Sequence, residues 1–191
     1  MAEVVLFHHV QGFTPGVRRL ADELRAGGHT VHTPDFFEGA TFGSIDDGFA
    51  AVHARGKGAV DAWADGVVAD LPPQVVYAGI SLGVMPAQRL AQTRPGAAGA
   101  LLLEACAPAS AFGERWPADV PVQVHGMDRD PFFGLEGDVD AARELVAQAA
   151  DGELFVYPGD VHLFTDSSLP SHDAAATSLV VERALALLAR L

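Results

Sequence analysis

The sequence predicts an α/β fold, a sheet of about six mainly parallel strands with helices on both faces. Three observations lead there. Short apolar runs rich in strand formers alternate with longer segments of helical periodicity from one end of the chain to the other. The first strand–helix–strand unit closes within about thirty residues, the length of a βαβ crossover. No fixed-period repeat and no low-complexity tract interrupts the alternation. At 191 residues the chain is expected to be a single domain, residues 1–191.

Val4-Val5-Leu6-Phe7 is too short for a helix and reads as the first strand. Thr14 then caps a helix with Pro15 at its first position, where a missing N–H costs nothing. Val17, Leu20, Ala21 and Leu24 make one buried stripe, and Gly27-Gly28 ends it. His29 to Thr33 is the second strand. Residues 36–70 break the rhythm, being long, glycine-rich and without a strand; an excursion from a strand's carboxyl end is expected to cover a site. Gln74 to Ile80 is the third strand and Leu82 to Arg94 its helix, with Pro86 near the first turn as a candidate kink. Ala100 to Ala105 and Val120 to Val124 are strands four and five. Asp138 is expected to cap a helix running to about Ala150. Glu153 to Tyr157 is the sixth strand, and Val181, Ala184, Leu185, Leu188 and Leu191 mark the last helix.

Composition narrows the function. Twelve basic against twenty-five acidic residues give a net charge of −13, and Lys57 is the sole lysine. Such a surface repels phosphate backbones and anionic lipid, so neither nucleic acid nor membrane is an expected partner. No run of ~18 apolar residues could span a bilayer, and Met1-Ala2-Glu3 lacks the basic region of a signal peptide. The lone Cys106 reads as a core residue in a reducing compartment, so a cytoplasmic location is expected.

The chemistry is sought at the carboxyl ends of the strands, where open α/β sheets bind ligands. The third strand delivers Gly79-Ile80-Ser81-Leu82-Gly83, a G-x-S-x-G turn between strand and helix. There the serine is held on a sharp bend with its hydroxyl projecting, and a Cβ at either glycine would meet backbone. A nucleophilic serine needs a base and an orienting acid. The fifth strand leads into His125-Gly126-Met127-Asp128-Arg129-Asp130-Pro131, and the sixth into Gly159-Asp160-Val161-His162. Ser81, Asp130 or Asp128, and His162 therefore stand in workable order on one rim. The N–H of Leu82, with one from the loop after the first strand, would form an oxyanion hole. Adjacent His8 and His9 lack metal-ligand spacing, and no glycine-rich phosphate loop follows the first strand, so neither metal nor cofactor is expected.

Taken together, these segments resemble the dienelactone hydrolase family of α/β-hydrolases, in the short form that begins at the oxyanion strand. The likeness rests on Leu6 through Gly12, Thr33-Pro34-Asp35, Gly79 through Gly83, His125 through Pro131, and Gly159 through Phe164. It implies an α/β-hydrolase core, a nucleophile–acid–histidine triad, no cofactor, and an ester or lactone substrate. It also implies Val10 as the second oxyanion donor, and Asp130 as the acid because the acid precedes a proline. Three departures stand out: Ser81 replaces a cysteine, His9 replaces a glutamate beside the nucleophile, and Thr165-Asp166-Ser167 replace a carboxylate-binding arginine. A small neutral ester or lactone is therefore expected rather than a dianionic lactone. His9, Phe36, Phe132 and Phe164, near strand ends, are candidates to line its pocket. The alternative is a small-molecule binding module that keeps the hydrolase cradle without catalysis.

Overall fold

The computed structural model describes residues 1–191. Six parallel strands form one sheet: β1 (Glu3–Phe7), β2 (Thr30–His32), β3 (Val76–Ile80), β4 (Gly99–Leu103), β5 (Val122–Met127) and β6 (Gly152–Tyr157), in spatial order β2-β1-β3-β4-β5-β6. Six helices join or flank them: α1 (Pro15–Ala26), α2 (Ile45–Arg55), α3 (Ala59–Val68), α4 (Val84–Thr93), α5 (Asp138–Val146) and α6 (Ala174–Leu188). None is long and apolar enough to cross a membrane.

The strand pleat sorts the core into two layers. Val5 and Phe7 point with Tyr77, Leu102 and Val124 into the layer that contains α4 and α5, whereas Val4 and Leu6 join Ala78, Ile80, Leu101 and Leu103 in the layer with α1 and α6. Alternation along each strand places consecutive side chains on opposite faces, so a strand covered twice must be apolar at every position. Burying each such side chain contributes about 1.5–3 kcal/mol.

Several boundaries differ from the sequence reading. β5 extends to Met127, because it pairs with β6 as far as Met127 and Tyr157. Residues 36–70 hold two helices, α2 and α3, and no strand. Pro86 does not interrupt α4: it lies in the opening turn, where backbone N–H groups have no intrahelical acceptor. Gly137, at φ 102°, occupies the cap of α5, and Asp138 turns its carboxyl to the Cys106 N–H instead. The strand order reverses between β1 and β3, and the loops leaving their carboxyl ends flank the crevice where such sheets bind ligands.

A buried carboxylate ties these loops together. Asp166 Oδ2 accepts from His9 Nε2 at 2.7 Å and from the Thr14 hydroxyl, while Oδ1 accepts from the N–H and hydroxyl of Ser168. Thr14 in turn caps α1 through the Val17 N–H. Gly16 is required here, since a Cβ would overlap Asp166 Oδ1. Burial alone would raise the Asp166 pKa, but these donors favour the charged form and hold it down at about 2. A depressed carboxyl stabilises the fold above its unfolded pKa of ~3.9 and loses that contribution, about 2 kcal/mol, as pH falls toward 2. Asp166→Ala, which leaves buried donors unpaired, is expected to lower the unfolding free energy by about 3 kcal/mol in urea titrations. A loss below ~1 kcal/mol would show that the hub is dispensable.

Candidate active site

Ser81 opens a short 3-10 turn between β3 and α4, with a left-handed φ of 49°. Only a few per cent of non-glycine residues adopt positive φ, and this one is held there by its neighbours. A Cβ at Gly79 would overlap the Gly83 carbonyl, and one at Gly83 would overlap the Phe7 carbonyl at the end of β1. Both glycines are therefore steric necessities of the turn.

The Ser81 hydroxyl donates to His162 Nε2 at 2.8 Å, and His162 Nδ1–H donates to Asp130 Oδ2 at 2.7 Å. A carboxylate can only accept, which sets the tautomer and leaves Nε2 free to take a proton. Asp130 is fully buried, and its other oxygen accepts from the Phe132 N–H at 2.9 Å. Asp128, the other acid on this loop, is directed elsewhere: its Oδ1 accepts from the Gly159 N–H at 2.9 Å and its side chain is 45% exposed. It braces the loop carrying the histidine without touching the ring.

Two backbone N–H groups, those of Leu82 and Val10, were expected to serve beside Ser81. That of Leu82 belongs to the opening turn, before any intrahelical acceptor. In the loop after β1, Gln11 N–H donates to His9 Nδ1 and Gly12 N–H to the His9 carbonyl, and the Val10 N–H is left without a partner. Helix α2 backs this loop so closely that a Cβ at Gly48 would overlap the Val10 carbonyl.

This geometry meets an independent finding: the sequence matches the dienelactone hydrolase family over residues 1–191. The chain belongs to that family. It is accordingly a hydrolase acting on ester bonds. Among solved structures it is similar to a dienelactone hydrolase-like promiscuous phosphotriesterase from metagenomic libraries, at 17% identity and a TM-score of 0.74, covering 100% of this chain and 87% of that one. Dienelactone hydrolase from Anabaena variabilis shares 15% identity at a TM-score of 0.62, with 99% and 86% covered. A cold-adapted esterase from an Arctic intertidal metagenomic library shares 18% at 0.63, with 97% and 82% covered. At such identities the likeness is one of fold. No curated protein matches the sequence.

In this dienelactone hydrolase family member, a cavity of about 260 Å³ opens beside Ser81 and His162. Ile45 and Phe49 of α2, Met85 of α4 and Phe132 supply its apolar wall. Phe132 lies against the imidazole, with ring centroids 4.6 Å apart. The other pocket candidates are not on that wall. His9 is engaged with Asp166; Phe36 is buried among Phe37 and Trp63, its N–H bonded to His8 Nε2; Phe164 packs in the core against Tyr157. Burial lowers the His8 pKa to about 4, in keeping with a neutral ring used as a structural acceptor. Cys106 is likewise buried, its thiol pushed up to about 12 and unreactive.

The residue that sequence reasoning missed is Glu104, at the end of β4. It is fully buried, stands on the cavity wall and has a φ of 66°. Its Oε1 accepts from the N–H and hydroxyl of Thr165, at 3.0 and 2.6 Å, while Oε2 has no partner. A carboxyl closing the apolar run Leu101-Leu102-Leu103 was the available signal. For His162, burial pulls the pKa down, yet the Asp130 hydrogen bond and the charges of Glu104, Asp130 and Asp138 outweigh it and leave it raised above 6.5. NMR titration of His162 is expected to report a pKa above 6.5 that falls in Asp130→Asn. An unchanged midpoint in that variant would rule out Asp130 as its partner.

Proposed function

We propose that this chain is a serine hydrolase that cleaves a small ester or lactone through an acyl-enzyme, with Ser81, His162 and Asp130 as its triad. The reading rests on one observation, the continuous Ser81–His162–Asp130 hydrogen-bonded relay at 2.8 and 2.7 Å. Ser81 Oγ attacks the acyl carbon while its proton passes to His162 Nε2. Asp130 stabilises the imidazolium through the Nδ1–H bond. The N–H groups of Leu82 and Val10 stabilise the negative charge that develops on the carbonyl oxygen. Protonated His162 then gives its proton to the leaving alkoxide, and a water, activated in turn by His162, hydrolyses the acyl-serine. The cavity volume of about 260 Å³ suits a small acyl compound.

The same reading takes residues 1–191 as one domain acting on a small molecule in the cytoplasm, with 36–70 as the segment that covers the site. Helix α2 supports the last point, since Ile45 and Phe49 line the same cavity as Ser81.

Kinetics on short esters test the proposal. Ser81→Ala is expected to abolish turnover, and Asp130→Asn to lower kcat by on the order of 10⁴, because it favours the wrong tautomer of His162. Asp128→Asn, whose target is a loop N–H, is expected to cost about tenfold or less. If Asp128→Asn proves the more damaging, the acid is misassigned. A base must be neutral to take a proton, so kcat/KM is expected to fall with acid, through a midpoint above 6.5 given the raised pKa of His162.

A further inference from the structure

The cavity wall next to Ser81 carries three carboxyl groups, Glu104, Glu136 and Asp138, and neither lysine nor arginine. Arg129, on the loop after β5, pairs with Asp128 and is 60% exposed. We propose that this site, if it works as the hydrolase described above, selects esters bearing an ammonium group over neutral or anionic esters of the same shape, with these three carboxyls as counter-charges.

The strongest support is Glu104. Its whole side chain is buried, one oxygen is satisfied by Thr165, and the other is unpaired. Unpaired buried acceptors are rare because water has been removed and nothing replaces it. A cation seated in the cavity would offset the charge of this carboxyl electrostatically. Asp138 is arranged in a similar way, with Oδ2 on the Cys106 N–H at 3.0 Å and Oδ1 unengaged. Glu136 forms no ion pair and stands at the exposed rim. Burial raises the pKa of both Glu104 and Asp138, and a cation seated beside them would favour their charged forms. Phe49 and Phe132 add aromatic surface on the same wall, and aromatic faces attract ammonium groups.

The net charge of −13 also draws cations from a distance, so the test must separate field from pocket. Three butyrates serve as probes: butyrylcholine, its neutral isostere 3,3-dimethylbutyl butyrate, and anionic 2-sulfoethyl butyrate. Hydrolysis is followed by pH-stat at about 0.5 M salt, where the Debye length is ~4 Å. The wild type is expected to prefer the choline ester over its isostere by about tenfold in kcat/KM, with the sulfonate slowest. Glu104→Gln, Asp138→Asn and Glu136→Gln are each expected to reduce that preference. The ratio is measured within one preparation, so loss of folded protein cancels. Equal turnover of the choline ester and its isostere would overturn the proposal and leave the serine hydrolase intact. A preference that survives all three substitutions would assign it to the distant field and overturn the proposal too. No turnover of any probe, with Ser81→Ala indistinguishable from wild type, would overturn both.

Discussion

The site depends on a steric constraint, the close approach of the β3–α4 turn to the end of β1. Gly83 lies where no side chain fits beneath the Phe7 carbonyl, and Gly79 lies equally close to Gly83. This contact holds Ser81 in its left-handed conformation at the carboxyl end of β3. It also requires β1 and β3 to be neighbours, which is where the strand order reverses. The chain topology and the geometry of Ser81 thus share one cause.

The loop after β6 is the second organising element, because each neighbouring loop takes hold of it. Asp128 receives the N–H of Gly159, Asp130 the imidazole of His162, Glu104 the donors of Thr165, and His9 donates to Asp166. Four contacts from β5, β4 and β1 fix a segment that has no regular structure of its own. Thr165 and Asp166 occupy the stretch in which the family resemblance led us to expect an arginine. Here that stretch binds protein rather than a substrate carboxylate. Acidic groups line the site, and their charges raise the pKa of His162.

Much of this was legible from residue order alone. Apolar runs fully buried on both faces identify themselves, and a glycine-flanked serine between strand and helix can adopt few other conformations. His162 and the two candidate acids followed from the rule that ligands meet strand ends. Sequence periodicity does not carry side-chain direction in loops. Phe36 and Phe164 were expected at the pocket because they are aromatic and close to strand ends, yet a hydrogen bond to His8 and packing on Tyr157 turn them inward. Residue order alone left Asp128 and Asp130 both open, and only the family resemblance favoured Asp130, since two residues on one turn can face opposite ways. Glu104 was hidden for a related reason: an acid at the end of an apolar strand is conspicuous only once its surroundings are known to be buried.

The central claim is that Ser81 is a nucleophile activated by His162, and covalent trapping tests it most directly. Incubation with a serine-directed aryl phosphonate, followed by mass spectrometry of the intact chain and of its peptides, reports where the adduct forms. The account predicts one stoichiometric adduct on Ser81 in the wild type, strongly slowed labelling in His162→Ala, and none in Ser81→Ala. Absence of an adduct on Ser81, or labelling at the same rate without His162, would contradict it.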